Sequence, residues 1–291
     1  MADRPGPNRR PGRAKVWPLC IAKRKGSLTD GGIAMPVVEV EQHGAYAVVT
    51  INRPEVLNAL NREVLQALEA AWDRLERADG MKSVVVTGAG ERAFVAGADI
   101  REIQGLDGPL AAESFSRFGQ AIFNRIAESP LLSIMAINGF ALGGGLELAM
   151  AGDFRLLADD AEVGQPEILL GIIPGFGGTQ RLKDLVGEGR ALWLIASGTR
   201  IGAAQALAWG IVDEVTPRAS LRSRAEELAR LLGDRPPLAL RAAKRAVRMA
   251  GPRPDRLAAE AAAFGLVACS EDAREGTTAF LEKRPPVFRG R

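Results

Sequence analysis

Apolar and polar residues follow each other in two patterns along this chain, one typical of buried strands and the other of amphipathic helices. Residues 46–52 are a β-rich run that ends where Arg53 and Pro54 follow, since proline cannot donate to a strand ladder. Asn61 is then a suitable helix N-cap. The apolar residues after it recur at helical spacing and predict one buried face: Val64, Leu65, Leu68, Trp72 and Leu75.

The same two patterns predict further elements toward the C-terminus. Strand-like sequence begins at Pro36, and a second amphipathic helix is predicted over about residues 112–128. The other predicted strands are residues 83–87, 131–137, 154–157 and 211–212. After Gly178 the pattern is mostly helical. Strands interleaved with helices predict an α/β core followed by a helical C-terminal region.

Composition narrows the classes of protein and of site that this chain can represent. Its 291 residues can bury an enzyme-sized core, and 47% hydrophobic with 25% charged residues excludes wholesale disorder. Apolar runs such as residues 131–137 are too short to cross a bilayer, so no membrane partner is expected. One histidine (His43) and two distant cysteines (Cys20 and Cys269) predict neither a zinc site nor a disulfide framework. Proton chemistry must then fall to carboxylates, lysines or Tyr46.

Charge is distributed unevenly between the N-terminal tail and the rest of the chain. Residues 1–34 hold eight Lys and Arg against two Asp, a net charge of +6, whereas residues 35–291 hold 30 basic and 33 acidic residues, a net charge of −3. The tail is predicted to be a disordered basic extension, with a targeting presequence as the less favoured alternative. The mildly acidic body is not expected to bind nucleic acid. We find no secretory signal and expect a cytoplasmic protein.

Three glycine-rich turns are candidates for ligand binding. The first, residues 88–93, imitates a dinucleotide fingerprint, but residues 94–100 do not begin a long helix, which disfavours nucleotide binding. The second, residues 138–150, lies where a buried strand leads into a helix. Its three glycines, residues 143–145, either cradle an anion or oxyanion or allow a helix to pack tightly on a strand. Both interpretations stay open on sequence alone.

The third turn contains a second acid with apolar neighbours in sequence. Glu167 stands among apolar residues and is followed by a glycine hairpin, and Glu147 is flanked by Leu146 and Leu148. A single glutamate among apolar residues more often has a structural role, in which its carboxylate pairs with another polar group. Two such acids, each beside a glycine-rich turn, favour a catalytic pair.

At these residues the sequence resembles the enoyl-CoA hydratase (crotonase) superfamily. The matching stretches occur in the family's order and are residues 52–60, 93–100, 137–148, 164–182 and 279–284. The resemblance spans about residues 37–289 and implies an α/β fold, a crotonase-like spiral of ββα units. It places the catalytic core in residues 35–230 and a C-terminal helical trimerisation region in residues 231–291. The family's usual assembly is a homotrimer or a dimer of trimers.

The resemblance also implies which residues would bind and convert an acyl-CoA thioester. The backbone amides of Ala98 and Gly144 would form an oxyanion hole, and Glu147 and Glu167 match the family's two catalytic glutamates. The residues implied to contact the substrate and its CoA moiety are Val56, Leu57, Ala96, Ala98, Asp99, Ile100, Arg101, Gly144, Phe280 and Lys283. No metal and no separate cofactor are expected, because coenzyme A is part of the substrate.

The activity implied by the resemblance is the addition of water to a 2-enoyl-CoA to give a 3-hydroxyacyl-CoA, in fatty acid or related acyl-CoA breakdown. Two amide donors would stabilise the enolate oxygen, Glu147 would activate the water, and Glu167 would deliver a proton to C2. The division of roles between the two acids is left open. Three alternatives also remain: an enoyl-CoA delta-isomerase, an RNA-binding protein on this scaffold, and a catalytically silent trimer.

Overall fold

Repeated units of two strands and a helix build two sheets. The computed structural model describes residues 36–291, which belong to one compact unit. Its strands are β1 (Val38–His43), β2 (Tyr46–Ile51), β3 (Ser83–Gly88), β4 (Ala93–Val95), β5 (Leu132–Ile137), β6 (Phe140–Leu142), β7 (Phe154–Ala158), β8 (Glu162–Gly164), β9 (Arg200–Gly202) and β10 (Glu214–Thr216). Its helices are α1 (Arg62–Glu76), α2 (Ile100–Gln104), α3 (Gly108–Glu128), α4 (Gly144–Ala151), α5 (Gly178–Val186), α6 (Glu188–Ser197), α7 (Ala203–Ala208), α8 (Arg218–Gly233), α9 (Pro237–Val247), α10 (Arg253–Ala268) and α11 (Glu271–Glu282). Two short 3-10 helices cover Pro54–Val56 and Pro166–Leu170.

The strands β1 and β2 both belong to the larger sheet, whereas the two strands of each later unit divide between the two sheets. The larger sheet has the order β1-β2-β3-β5-β7-β10 and the smaller one β4-β6-β8-β9. The β1–β2 and β8–β9 pairs are antiparallel, and the other strand pairs are parallel. Because β4, β6 and β8 run in the same direction, their C-terminal ends lie at one edge of the smaller sheet. The loops that follow these three strands therefore come together.

The predicted α/β class with a helical C-terminal region is confirmed. Asn61 caps α1 as expected, since its Oδ1 accepts a hydrogen bond from Val64 N at 2.9 Å. The second predicted helix is longer than expected, because α3 begins at Gly108 with a proline in its first turn. The prediction of a strand at residues 211–212 is wrong. These apolar residues are buried in a turn, where the Ile211 carbonyl accepts from Arg155 Nε at 2.7 Å, and the strand β10 begins two residues later.

Two sequence-based predictions are not decided by this architecture. The disordered basic extension, residues 1–34, lies outside the described residues. The division of the body into a core of residues 35–230 and a trimerisation region of residues 231–291 stays a prediction.

Asn58 ties together the loops at one end of the larger sheet. Its side chain is completely buried and accepts from Arg53 N at 2.9 Å. Its Nδ2 donates to the carbonyls of Ala89 and Ala93 at 3.0 and 2.8 Å. Its backbone is left-handed (φ 58°), a conformation that asparagine tolerates better than most residues. The loop after β2 is thus fixed against the turn between β3 and β4.

Replacing Asn58 by alanine is expected to lower the free energy of unfolding by about 2–4 kcal/mol, because the buried Ala93 carbonyl and the part-buried Ala89 carbonyl lose their donor. Urea denaturation monitored by circular dichroism measures the change. The control Gln42→Ala removes an exposed amide on β1 and is expected to shift stability by less than about 0.5 kcal/mol. Equal stability of the two variants would contradict the role given to Asn58.

Candidate active site

The smaller sheet brings Glu147 and Glu167 to the same edge. Glu147 lies in the first turn of α4, after β6, and Glu167 lies in the 3-10 helix after β8. The two segments are also joined directly, because Gly143 N donates to Gly164 O at 2.9 Å. A Cβ added at Gly143 would lie 2.9 Å from Glu167 Oε1, so the Glu167 carboxylate rests against the turn that begins α4. Neighbouring parallel strands thus place both acids together.

Glu147 is a buried carboxylate held by two backbone amides. Its side-chain Oε1 accepts from Phe176 N at 2.8 Å and from Gly178 N at 2.6 Å, and the residue is 2% exposed. Burial raises the pKa of Glu147 to about 7, while the two amide hydrogen bonds and the charge of Arg181 oppose this rise. The carboxylate is therefore fixed in orientation and can both bind and release a proton near neutral pH.

Glu167 is the more weakly acidic member of the pair. Burial raises its pKa to about 8, and the neighbouring charge of Glu147 adds to the effect. The side-chain amide nitrogen of Gln165 faces this carboxylate and lies 2.9 and 3.1 Å from the two oxygens of Glu167. Two acids coupled in this way titrate as a pair. At a pH between these two values the pair holds about one proton, so the site offers one base and one acid.

The sequence left open whether glycines 143–145 make room for a polar group or allow a helix to pack tightly on a strand. They do both. Gly143 has φ 52° and ψ −124°, a conformation accessible mainly to glycine, and leaves room for the Glu167 carboxylate. Gly145 serves packing instead, since a Cβ there would lie 1.9 Å from the Val95 carbonyl of β4. The helix thus packs closely on the strand while its N-terminus faces the two acids.

The amides of Ala98 and Gly144 lie close to one another beside this helix N-terminus. A Cβ added at Gly144 would be 3.3 Å from Ala98 N. Ala98 pairs with Leu60 in a parallel bridge, in which Leu60 N donates to Gly97 O and Asp99 N donates to Leu60 O. The N–H of Ala98 itself therefore points away from Leu60. Gly144 opens α4, so its N–H has no carbonyl to bond within the helix. Both donors are available to an oxygen with developing negative charge.

The structure groups some of the predicted CoA-binding residues with this site. Val56 and Leu57 are half-buried, and Ala96 N donates to Leu57 O at 3.0 Å, which joins the two loops. Asp99 caps α2 and pairs with Arg53 at 3.2 Å. Ile100 is half-buried, and Arg101 is exposed in the first turn of the same helix.

Two other predicted contacts are not brought to the site. Phe280, on α11, is 82% exposed, and Lys283 is the exposed, left-handed C-cap of that helix. No hydrogen bond or ion pair within residues 36–291 links either residue to the two glutamates. Their contact with CoA stays a prediction.

Several groups that surround the two acids had no predicted role. They are the amides of Phe176 and Gly178, the side chain of Gln165 and the guanidinium of Arg181. Gln165 stands two residues before Glu167, and this proximity was an available signal. The amide donors had no such signal, because every residue except proline has a backbone N–H and only the folded hairpin directs these two to Glu147.

Known proteins were compared with the chain as a whole. A family model described as Enoyl-CoA hydratase/isomerase matches residues 41–291. The chain belongs to this enoyl-CoA hydratase/isomerase family. The short-chain-enoyl-CoA hydratase of Clostridium acetobutylicum is 42% identical over 252 residues, covering 85% of this chain and 95% of that protein. The crotonyl-CoA hydratase of Syntrophomonas wolfei is 41% identical, covering 86% and 96%.

Solved structures of this family share the fold. The crystal structure of an enoyl-CoA hydratase from Bacillus anthracis matches with a TM-score of 0.84 at 36% identity, covering 88% of this chain and 100% of that one. A structure from Geobacillus kaustophilus matches with a TM-score of 0.83 at 41% identity, covering 88% and 98%. The predicted crotonase-like fold is confirmed. Within residues 36–291, no helix combines the length and apolar character required to span a membrane.

Glu167→Gln is expected to gain stability relative to the wild type as the pH rises. A raised folded-state pKa means that the folded state binds more protons than the unfolded state between about pH 4.5 and 8, so wild-type stability falls across this window. Glutamine does not titrate and escapes this loss. The difference in free energy of unfolding between variant and wild type should grow by at least about 1 kcal/mol from pH 5 to pH 9.

Urea denaturation at pH 5, 7 and 9 measures this difference. Glu260→Gln, which removes an exposed carboxylate from α10, serves as the control and is expected to follow the wild-type curve. A constant difference between Glu167→Gln and the wild type across the three pH values would contradict the raised pKa.

Proposed function

We propose that this protein adds water across the C2–C3 double bond of 2-enoyl-CoA thioesters to give 3-hydroxyacyl-CoA. The observation that carries the proposal is a carboxylate pair, the buried Glu147 and the half-buried Glu167, whose pKa values are both raised and which lies beside two available backbone amides. The family assignment and the names of the relatives support the same substrate class. The hydration chemistry itself uses neither a metal nor a separate cofactor.

The thioester oxygen is placed at the amides of Ala98 and Gly144 in this mechanism. Their hydrogen bonds, together with the positive end of α4, stabilise the enolate charge that builds up as C3 is attacked. The loops that hold Val56, Leu57 and Ala96 lie beside this position and are proposed to contact the CoA moiety.

The two glutamates move the protons. Ionised Glu147 takes a proton from a water molecule, whose oxygen bonds to C3, and protonated Glu167 gives its proton to C2. One proton is taken up and one is released, so the pair keeps a single proton throughout. The assignment follows the surroundings of the two acids, because two amide hydrogen bonds favour the ionised form of Glu147, whereas the charge of Glu147 raises the pKa of Glu167 and favours its protonated form. The same amide hydrogen bonds also fix the orientation of the Glu147 carboxylate toward the water.

Glu147→Gln and Glu167→Gln are each expected to lower kcat for crotonyl-CoA hydration by about 100- to 10,000-fold, because each removes one proton-transfer group. The assay follows the loss of ultraviolet absorbance of the conjugated thioester. Glu260→Gln, on the exposed side of α10, is the matched control and should keep the wild-type kcat.

Near-normal kcat in both site variants would reject the proposal. Migration of the double bond of a 3-enoyl-CoA, without net hydration, would instead favour the isomerase alternative. Chromatography of the products separates these outcomes.

We also propose that the chain assembles as a homotrimer or a dimer of trimers. A single chain exposes large apolar side chains on its C-terminal helices and beside the site, which is typical of surfaces that pair with another chain. They include Leu169, Ile173, Leu192, Val247, Phe264, Leu266, Phe280 and Leu281.

Light scattering of the wild type is expected to give three or six times the chain mass of 30.9 kDa. Phe264→Asp places a charge on the 74% exposed apolar surface of α10 and should reduce the measured mass. Glu63→Gln, which removes an exposed carboxylate from α1, should leave the mass unchanged. A wild type with the mass of one chain would contradict the assembly.

A further inference from the structure

The orientation of Glu147 depends on the hairpin between the second 3-10 helix and α5. This hairpin, residues 174–178, provides both amide donors to the carboxylate, from Phe176 and Gly178. Such donors are useful only when the hairpin is held in one conformation, because a glycine-rich segment has many others. Groups on α3 and α5 hold the hairpin in this conformation.

Helix α3 holds one side of the hairpin. Ser116 Oγ and Gln120 Nε2 both donate to the Gly175 carbonyl, the latter at 2.9 Å. The Phe176 ring is seated where α3 has Gly119, since a Cβ at Gly119 would lie 2.3 Å from that ring. Side chains on one face of α3 thus hold the first half of the hairpin.

Arg181 holds the second half from α5. Its Nη1 donates to the Phe176 carbonyl at 2.9 Å, and its Nη2 donates to Asn124 Oδ1 on α3. The guanidinium covers Gly177, where φ is +109° and an added Cβ would lie 2.3 Å from Nη1. Gly177 is the residue between the two amide donors. Arg181 therefore lies across the peptide segment that binds Glu147 and connects that segment to α3.

We propose that Arg181 is a positioning residue for hydration, holding the peptide segment that presents the Phe176 and Gly178 amides to Glu147. The inference rests on the proposed function. Arg181 acts on substrate only through Glu147 and the hairpin, so its removal should affect kcat more than KM.

The charges around Glu147 are few, which makes the effect of Arg181 measurable. Glu167 faces Glu147 from the 3-10 helix after β8, and Arg181 faces it from α5. Arg181 is itself influenced by Glu128 at the end of α3 and by Arg248 after α9. Arg181 lowers the pKa of Glu147, against the effect of burial. Removing this charge should therefore raise the pH at which the base becomes active.

The test compares Arg181→Met, Arg181→Lys and Asn124→Ala with the wild type and with Arg117→Met as the control. Arg117 is an exposed arginine on α3 that pairs with Glu113 at 2.7 Å, away from the hairpin contacts. For each protein, kcat and KM for crotonyl-CoA are measured from pH 5.5 to 9.5. The titration of Glu147 is followed separately by infrared difference spectroscopy of its carboxyl band, in the Glu167→Gln background.

Arg181→Met is expected to lower kcat by about 10- to 100-fold with KM within about threefold of the wild type. The acid limb of its kcat profile and the carboxyl titration should both move to higher pH. Arg181→Lys keeps the charge, so it should keep the wild-type acid limb while losing about three- to tenfold in kcat. Asn124→Ala frees one side of the guanidinium and should lower kcat in the same direction.

Wild-type kcat in Arg181→Met, or an unmoved acid limb and carboxyl titration, would overturn the inference. If Arg181→Met does not fold, Arg181→Lys and Asn124→Ala decide, because wild-type kcat in both would also overturn it. A wild type that does not hydrate crotonyl-CoA is a different result, since it rejects the proposed function and not only the role of Arg181.

Discussion

The placement of two carboxylates side by side, with Glu147 buried and Glu167 half-buried, is the constraint on which this site depends. Burial disfavours the charged form of each acid, and the negative charge of Glu147 further disfavours ionisation of Glu167. A pair of this kind is stable only if one member keeps its proton or if nearby groups compensate the charge. The same condition that makes the pair costly to fold gives it an acid and a base at neutral pH.

The compensation comes mostly from the backbone. Two amides of the hairpin bind Glu147, and the N-terminus of α4 faces the same space. The two amides at Ala98 and Gly144 extend this arrangement to the position of a substrate oxygen. Backbone donors need no side-chain rearrangement during a reaction, so their value depends on how rigidly the loops are held. This explains why Asn58, Gly145 and the contacts of α3 matter to a site that they do not enter.

The smaller sheet brings the parts of the site together. Its parallel strands β4, β6 and β8 end at one edge, so loops that are about 70 residues apart along the chain lie next to each other. β4 leads to Ala98, β6 to Gly144 and Glu147, and β8 to Glu167. The repeated ββα unit thus supplies one part of the site from each repeat, while the larger sheet carries most of the buried apolar strands.

The sequence by itself determined the α/β class, most element positions and the identity of the two acids. Strand and helix spacing are local properties, and an acid without polar neighbours in sequence is visible without coordinates. The interpretation of residues 211–212 as a strand failed because apolar character reports burial, and a buried turn needs the same side chains as a strand. The two purposes of the glycine turn could not be separated either, since the space at Gly143 and Gly145 is filled by Glu167 and by Val95 from other segments. Only the tertiary structure decided which amides bind Glu147 and that Arg181 crosses the hairpin, because these contacts depend on where the chain returns and not on which residues it contains.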